Sequence, residues 1–265
     1  MMTAAARKNF AVTTGREGGS VSQAQQWARE LGADYLPRGR ESLPALLHKH
    51  DLQAILVAGA QEPRIFTKDG GLLAYHPSMA VLRWQQLQAG GTDHFAAAAD
   101  LRRGMRVLDC TLGLAADAAV ASCLVGETGC VTGVEASFLL HFLVSYGLQR
   151  YVCEDAALTA ALRRIVTVRA QAEDYLRQCA ASGIFYDVIY FDPMFRRPVQ
   201  GSSCMDALRP LAFERPLSPE LIALARQVAP KIVVKERFAG LLRDLGCTEI
   251  KGGKYARVKY GIITS

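Results

Sequence analysis

The amino-acid sequence predicts an α/β protein in which a parallel sheet flanked by helices follows a smaller α/β unit. Three observations lead to this prediction. Apolar runs typical of strands alternate with helical segments after about residue 76. The chain then closes with two strand-like runs around Gly252-Gly253, which predict an antiparallel hairpin. The length of 265 residues allows a mid-sized domain and a small companion, which we place at residues 76–265 and 1–75.

The N-terminal region has the pattern of strand, helix, helix, strand and hairpin. Ser20 or Ser22 can cap the first helix, because a serine hydroxyl accepts a hydrogen bond from the first turn, and Gly32 can end it. Ser42 opens the second helix, whose first turn tolerates Pro44. The first helix is expected to extend to about residue 31, and the strands are expected at 10–13, 54–58, 64–67 and 72–75.

The second region alternates strands and helices through most of its length. Its strands are expected at 106–109, 130–134, 165–168, 187–191 and 231–234, with the closing hairpin at 247–251 and 255–263. Its helices are expected at 78–89, 92–100, 115–125, 137–149, 155–163, 172–180, 218–227 and 238–245. Strands that are connected through helices run parallel, so their carboxyl ends lie on the same side of the sheet, where ligands can bind.

Composition narrows the classes of function. The formal charge is 31 − 25 = +6, and the pI of about 9.0 favours a polyanionic partner only weakly. No run approaches the ~18 apolar residues of a membrane helix, and no apolar segment follows Arg7 and Lys8. We therefore expect a cytoplasmic protein without a membrane partner. The seven cysteines form no C-x-x-C pair, and the histidines show no ligand spacing apart from the solvated pair His48 and His50, so no metal site is expected.

The first candidate site follows the strand that ends in Asp109. The chain turns through Gly113 into a helix, and ligands bind where parallel strands end and helices begin. The next strand ends in Glu135, whose carboxylate matches the two hydroxyls of a ribose. The loop lacks the G-x-G-x-x-G and P-loop patterns. It suits S-adenosyl-L-methionine (SAM), which has a ribose, a sulfonium cation and an amino acid but no phosphate. The alternative is that both acids merely end strands.

The second candidate site follows an apolar strand that ends at Phe191. The next residues, Asp192-Pro193-Met194-Phe195, resemble the (Asp/Asn)-Pro-Pro-(Tyr/Phe/Trp) signature of methyltransferases that modify exocyclic amines. The lone pair of such an amine is delocalised into the base, and acceptors at its two N–H bonds aim it at the methyl group. Asp192 and Pro193 supply these acceptors, and Phe195 can stack on an extruded base. The alternative is an ordinary strand end, since Asp-Pro is a common turn signal.

A basic segment follows this motif, from Arg196 to Pro216. Loops of this length are typically functional or disordered, and arginines beside an active site suit phosphate contacts. Lys235, at the end of the next strand, can also face the cleft. Solvated surface charges are the alternative in both cases. The predicted substrate-binding residues are therefore Met194, Arg196, Arg197 and Lys235, and the segment adds Arg209 and Arg215.

Together these motifs resemble a known family. The segment Leu108–Ala118, the pair Val134-Glu135 and the segment Phe191–Phe195 are similar to motifs of the RsmJ family, which methylates guanine N2 in bacterial small-subunit ribosomal RNA. The family combines a D-A-T-A-G-L-G-R-D-A loop with D-P-M-(Y/F). The resemblance covers roughly Tyr75 to the C-terminus. It implies the class I SAM-dependent methyltransferase fold, with a Rossmann-like sheet of seven strands, the last of them antiparallel.

The resemblance also implies roles for individual residues. The catalytic residues would be Asp192, Pro193 and Phe195, which hold the amine. The residues implied at the SAM site are Asp109, Thr111, Gly113, Leu114, Asp117, Ala136, Ala172 and Asp192, with Glu135 at the ribose and Gln171 at the adenine. Glu173 and Asp174 are rivals of Gln171 for the adenine contact.

Two features depart from the family pattern. Ala115 and Ala116 stand where the family loop has Gly-Arg. The basic stretch that follows D-P-M-(Y/F) in the family is not matched, although Arg196-Arg197 can substitute for it. Both departures are compatible with a divergent branch that has another target base.

The N-terminal region carries a separate resemblance. The segments Ala11–Arg16 and Ala28–Arg40, followed by Ser42-Leu43, are similar to the start of the Brix domain of ribosome-assembly proteins, which bind ribosomal RNA. This similarity implies that residues 1–75 form an RNA-binding module. The implied phosphate contacts are Arg16, Arg38 and Arg40.

These observations favour a SAM-dependent methyltransferase that acts on an exocyclic base amine of RNA, with guanine N2 of ribosomal RNA as the first candidate. Adenine N6 or a DNA base is the alternative within the same chemistry. A non-catalytic SAM-fold protein that binds ribosomal RNA during assembly is the alternative of another class, and a small-molecule methyltransferase is a further one. The presence of Asp192-Pro193-Met194-Phe195 and of Glu135 argues against lost catalysis.

Overall fold

A computed structural model describes residues 9–16, 19–193, 216–253 and 256–264 of the chain. The described residues divide into two compact units, and the division lies between Tyr75 and His76. Each unit contains its own sheet. None of the helices in the described ranges is long and apolar enough to cross a membrane.

The N-terminal unit is built on a sheet of five strands. Its elements are β1 (Phe10–Thr14), α1 (Val21–Leu31), β2 (Asp34–Tyr35), α2 (Leu43–Lys49), β3 (Ala54–Ala58), β4 (Pro63–Thr67) and β5 (Leu72–Ala74). The strand order is β2-β1-β3-β4-β5, with β1 parallel to β2 and β3, and with β4 antiparallel to β3 and β5. The predicted helices, strands and hairpin of this region are confirmed. The prediction missed β2, because two residues are too few to show any periodicity.

Local side chains set the ends of the N-terminal helices. Ser20 rather than Ser22 caps α1: its hydroxyl accepts a hydrogen bond from the N–H of Gln23 at 3.2 Å. Gly32 ends α1 in the left-handed conformation with φ of 55°. The hydroxyl of Ser42 caps α2 in the same way. These contacts satisfy N–H groups that the first helical turn leaves without an intrahelical partner.

The C-terminal unit is built on a sheet of seven strands. Its strands are β6 (Arg106–Asp109), β7 (Cys130–Glu135), β8 (Val166–Arg169), β9 (Val188–Phe191), β10 (Lys231–Glu236), β11 (Glu249–Lys251) and β12 (Lys259–Thr264). Its described helices are α3 (Ser78–Gln88), α4 (His94–Ala99), α5 (Ala116–Val125), α6 (Phe138–Arg150), α7 (Ala156–Arg164), α8 (Ala172–Ser182), α9 (Pro219–Ala225) and α10 (Ala239–Asp244).

The strand order of this sheet is β11-β12-β10-β9-β6-β7-β8. The strands β10, β9, β6, β7 and β8 pair in parallel, and β12 is antiparallel to both of its neighbours. This topology confirms the predicted fold class, a Rossmann-like α/β sheet of seven strands whose last strand is antiparallel.

The closing hairpin differs most from its prediction. The last strand begins at Lys259, whereas the sequence suggested residue 255, which lies outside the described residues. The strand before it begins at Glu249 rather than at Cys247. The helix predicted from Ala115 begins one residue later, at Ala116, because Ala115 has a positive φ of 62° and cannot be part of a right-handed helix.

The central strand β9 is packed on both faces. Its four residues are all at most 1% exposed. Ile189 and Phe191 belong to the core cluster that includes side chains of α8, α9 and α10. Tyr190 points to the other face, where its ring lies 4.2 Å from that of Phe95 in α4. A strand fixed on both faces holds Asp192, the residue that directly follows it, in a defined position.

Candidate active site

The first part of the site is the loop that begins at Asp109, the last residue of β6. The Oδ1 atom of this buried side chain accepts hydrogen bonds from the backbone N–H and the hydroxyl of Thr111, at 2.9 and 3.3 Å. Burial, together with the charge of nearby Asp117, raises the pKa of Asp109 to about 8. A cation placed beside Asp109 would favour its ionised form.

Glu135, the last residue of β7, reaches the same loop. Its Oε2 atom accepts a hydrogen bond from the N–H of Gly113 at 3.1 Å, and its Oε1 atom accepts one from the N–H of Ser137 at 2.8 Å. Burial raises the pKa of Glu135. Each carboxylate oxygen has two lone pairs, so Glu135 keeps acceptor capacity for the hydroxyls of a ribose. Ala136 follows directly and is half-buried.

Two residues with positive φ carry the loop into α5. Gly113 has φ of 50° and Ala115 has φ of 62°, with half-buried Leu114 between them. The N–H of Ala115 donates to the carbonyl of Leu112 at 2.7 Å and closes the turn. The left-handed conformation costs a residue with a Cβ atom about 1–2 kcal/mol. The structure therefore gives a physical reason why the resembling family has glycine at the position of Ala115.

The second part of the site lies at the end of β9. The backbone N–H of Asp192 donates to the Oγ1 atom of Thr111 at 2.6 Å. Thr111 therefore contacts both candidate motifs, Asp109 on one side and Asp192 on the other. Pro193 is half-buried. The predicted residues Met194, Phe195, Arg196, Arg197, Arg209 and Arg215 lie outside the described residues.

The carboxylate of Asp192 forms an ion pair with Lys235. The Nζ atom of Lys235 lies 2.7 Å from Oδ2 of Asp192 and 3.6 Å from Oδ2 of Asp117. Burial raises the pKa of Asp192 to about 6, and Asp117 acts in the same direction, whereas Lys235 lowers it. The structure thus places Lys235, which the sequence suggested as a substrate contact, between two carboxylates of the site.

Arg83 of α3 is a site residue that the sequence did not reveal. Its Nη1 atom donates to Oδ1 of Asp117 at 2.7 Å, and its Nε and Nη2 atoms donate to the two oxygens of Asp93 at 2.7 and 3.0 Å. Burial opposes the charge of Arg83, but the bonds to Asp93 and Asp117 outweigh it and raise the pKa of Arg83. Asp93 also caps α4, so Arg83 connects three helices of the unit.

The adenine end of the predicted SAM site lies at the start of α8. Gln171 is the N-cap residue of α8, but its side chain makes no capping hydrogen bond, and Ala172 is the first helical residue. Both are half-buried. Of the two rivals of Gln171, Glu173 pairs with Arg177 at 2.7 Å and Asp174 is exposed.

The described part of the site contains more acidic than basic groups. The carboxyl groups are those of Asp93, Asp109, Asp117, Glu135 and Asp192, and the cations are Arg83 and Lys235. The buried hydroxyl of Tyr190 lies beside them without a hydrogen-bond partner among the described residues. A surplus of acidic groups favours a ligand with positive charge. The sulfonium and ammonium groups of SAM have that sign, so the residues present fit SAM. Within the described ranges, no three His, Cys, Asp or Glu residues could hold a metal ion together.

Gly133 of β7 leaves the space that the loop after β6 occupies. A methyl group on Gly133 would lie 2.3 Å from Cδ1 of Leu112, so Gly133→Ala must displace Leu112 and the loop around it. We expect this overpacking to lower the free energy of unfolding by about 1–3 kcal/mol. We also expect roughly tenfold weaker SAM binding, which corresponds to about 1.4 kcal/mol. Chemical denaturation and titration calorimetry measure the two effects.

Gly261 of β12 provides the matched control for this prediction. A methyl group there would lie 2.5 Å from Sγ of Cys247 and 2.7 Å from Cδ2 of Leu242. Gly261→Ala should therefore destabilise the protein by a similar mechanism and leave SAM affinity unchanged. Equal losses of SAM affinity in the two variants would show that Gly133 has no specific effect on the loop.

Comparison with known protein sequences finds relatives along most of the chain. The sequence model of a family described as "Putative SAM-dependent methyltransferase" matches residues 48–257. The uncharacterized protein YpiP of Bacillus subtilis is 34% identical over 245 residues, which cover 92% of this chain and 94% of that protein.

Two further relatives have a name that states an activity. Ribosomal RNA small subunit methyltransferase J of Saccharophagus degradans is 37% identical over 100 residues, which cover 35% of this chain and 36% of that protein. The protein of the same name from Acinetobacter baylyi is 29% identical over 157 residues, 54% of this chain and 57% of that protein. The chain thus matches about a third of one relative and just over half of the other.

A solved structure shares the fold. The SAM-dependent methyltransferase of Neisseria gonorrhoeae superposes with a TM-score of 0.65 at 16% sequence identity, over 96% of this chain and 95% of that one. Identity at this level supports the same fold and says nothing about the substrate.

Proposed function

This chain belongs to the family of SAM-dependent methyltransferases, and on that premise we propose that it methylates an exocyclic base amine of RNA, with guanine N2 of ribosomal RNA as the preferred target. The observation that carries the proposal is the hydrogen bond between Asp192 and Thr111, which joins the amine motif to the cofactor loop. A base amine held at Asp192 and Pro193 would lie beside the donor of the methyl group.

SAM supplies an activated methyl group on a positively charged sulfur atom. The acidic surroundings of Asp109 favour that charge, and Glu135 has acceptor capacity for the ribose hydroxyls. We assign the adenine contact to Gln171 and Ala172, at the carboxyl end of β8. These assignments rest on where each residue lies at the carboxyl edge of the sheet.

The target amine needs acceptors for its N–H bonds. The Oδ2 atom of Asp192 is bonded to Lys235, whereas its Oδ1 atom has no partner within the described part of the chain and can accept an N–H. The carbonyl of Pro193 supplies the second acceptor. Two acceptors fix the amine so that its lone pair points at the methyl group, and most of the acceleration comes from this orientation. The amine becomes acidic once it is methylated, and ionised Asp192 is placed to receive the proton.

The choice of ribosomal RNA rests on two relatives that are named small-subunit ribosomal RNA methyltransferases and on the similarity of Asp192-Pro193-Met194-Phe195 to their family motif. Adenine N6 or a DNA base would use the same acceptors, so the geometry of Asp192 does not separate these targets. A non-catalytic assembly factor would not need an acceptor in contact with the cofactor loop.

The N-terminal unit carries basic groups at the carboxyl ends of β1 and β2. The Nη2 atom of Arg16 donates to the carbonyl of Arg40 at 2.8 Å, and the Nη1 atom of Arg38 donates to the carbonyl of Thr14 at 3.4 Å. Burial and the like charge of Arg16 lower the pKa of Arg38. Guanidinium groups held close together favour a shared anion. We infer that Arg16, Arg38 and Arg40 contact RNA phosphates.

Replacing two of these arginines should weaken RNA binding. The double variant Arg16→Ala and Arg38→Ala is expected to lower the slope of log affinity against log salt by about 1.5, because each lost phosphate contact removes about 0.7–0.9. SAM affinity should not change. The double variant Arg29→Ala and Arg64→Ala removes the same charge from exposed positions of the same unit and serves as control. The inference is wrong if both double variants give the same slope.

The experiment that tests the proposed function offers several acceptors to the purified protein. Unmodified ribosomal RNA, small ribosomal subunits and genomic DNA are incubated separately with SAM that carries a labelled methyl group. We expect label in RNA or in the small subunit. Label in DNA alone would move the function to the alternative target, and SAM binding without any labelling would favour the assembly factor.

A further inference from the structure

Lys235 lies inside the site rather than on an open surface. Only 21% of its side chain is exposed. Its Nζ atom donates to Oδ2 of Asp192 at 2.7 Å and lies 3.6 Å from Oδ2 of Asp117. A lysine that contacts nucleic-acid phosphates normally reaches into solvent, where the backbone passes. The ammonium group of Lys235 is instead engaged by two carboxylates.

Asp117 is held from the opposite side by Arg83. The Nη1 atom of Arg83 donates to Oδ1 of Asp117, while Asp93 binds the same guanidinium through both of its oxygens. The contacts run from Asp93 through Arg83, Asp117 and Lys235 to Asp192. If Lys235 moved away to reach a phosphate, it would leave Asp192 without its cation and beside the like charge of Asp117.

The charges around Asp192 come from several elements. Lys235 and Arg83 favour its ionised form, and Asp117 opposes it together with burial. Asp109 interacts with Asp192 through their like charges. The titratable and charged groups around Asp192 and its contacts are Lys235 on β10, Asp117 on α5, Arg83 on α3, Asp93 at the start of α4, Asp109 on β6, Tyr190 on β9 and Tyr260 on β12.

We propose that Lys235 is a positioning residue for methyl transfer: it fixes one oxygen of Asp192 and keeps this carboxylate ionised, and it leaves the other oxygen for the target amine. The inference rests on the proposed function of Asp192. It adds that Lys235 acts through Asp192 and does not contact the RNA. An ionised carboxylate only accepts hydrogen bonds, whereas a protonated one also carries an O–H donor, so the charge of Lys235 keeps Asp192 an acceptor and its hydrogen bond holds that acceptor in one place.

Three variants test this role. Lys235→Met removes the charge, and Lys235→Arg keeps it. Lys231→Met removes the same charge from the first residue of the same strand, at the end opposite to Lys235. The single-turnover rate of methyl transfer is measured from about pH 5 to about pH 9. An unpaired Asp192 protonates more readily, so the acid limb for Lys235→Met should move to higher pH by roughly one unit or more. Lys235→Arg should restore it, and Lys231→Met should match the wild type.

The salt dependence of RNA binding separates positioning from contact. If Lys235 only positions Asp192, then Lys235→Met binds RNA with the same slope of log affinity against log salt as the wild type. A contact with phosphate would instead lower the slope by about 0.7–0.9. That result would overturn the inference.

Titration of Asp192 by NMR tests the inference without an RNA substrate. The side-chain carboxyl carbon of Asp192, assigned by its loss in Asp192→Asn, should titrate at higher pH in Lys235→Met than in the wild type. If the wild type methylates no RNA, the proposed function fails while this titration still tests Lys235. An unchanged titration of Asp192 would contradict the inference. Lys235→Gln takes the place of Lys235→Met if the latter does not fold.

Discussion

Asp192→Ala is expected to lower the single-turnover rate of methyl transfer by about 10²–10³-fold, the usual effect of losing one well-placed hydrogen-bonding group in an active site. The alanine cannot accept the N–H of the amine, so the lone pair stays delocalised in the base. SAM affinity should fall far less, because the loop from Asp109 to Asp117 and Glu135 remain in place. Rapid-quench kinetics with labelled SAM measures the rate, and titration calorimetry measures the affinity.

Asp187→Ala is the control for this prediction. Asp187 precedes β9 as Asp192 follows it, and its carboxylate accepts a hydrogen bond from the N–H of Arg106 at 2.6 Å. It therefore lies at the opposite end of the same strand. Asp187→Ala can cost stability, but it should leave the rate of methyl transfer near that of the wild type. Full activity of Asp192→Ala would remove Asp192 from the proposed chemistry.

SAM affinity should rise with pH as Asp109 ionises. The pKa of Asp109 is raised to about 8, mainly by burial, so its carboxyl group is largely protonated at pH 6 in the free protein. A cationic ligand favours the ionised form, and binding below this pKa must therefore release a proton. The affinity should increase by up to tenfold per pH unit until the pH passes about 8, where Asp109 is ionised before SAM binds. Titration calorimetry across this range measures the dependence.

Asp109→Asn isolates the contribution of this carboxyl group. The α-amino group of SAM itself titrates near pH 8, at about 7.7–8.0 in model compounds, so it affects both proteins alike. The difference between the wild-type profile and the Asp109→Asn profile reports Asp109. We expect the variant to bind SAM more weakly than the wild type at high pH and to show no increase of SAM affinity as Asp109 would ionise. Parallel profiles would mean that Asp109 does not face the cation.

The sequence predicted the parts of the structure that depend on local patterns. Buried strands are short apolar runs, and helix starts such as Ser20 and Ser42 carry their own caps, so both could be located without the fold. The carboxyl ends of neighbouring parallel strands lie side by side. Asp109 and Asp192 could therefore be expected close together at this end of the sheet.

Contacts between distant parts of the chain could not be predicted in the same way. Arg83 is one arginine in an ordinary helix, and nothing in its neighbours signals that it binds Asp93 and Asp117. Lys235 at a strand end has the same pattern whether it meets an RNA phosphate or Asp192. The positive φ of Ala115 had one indirect signal, because the resembling family has glycine at that position.

Identification of the methylated nucleoside tests the central claim most directly. Unmodified small-subunit ribosomal RNA is methylated with labelled SAM by the wild type and by Asp192→Ala, digested to nucleosides and separated by liquid chromatography with mass spectrometry. The account predicts label in N2-methylguanosine with the wild type and its loss with Asp192→Ala. Label on a ribose oxygen or a ring carbon, or label that persists in Asp192→Ala, would contradict the role of Asp192 as the acceptor for a base amine.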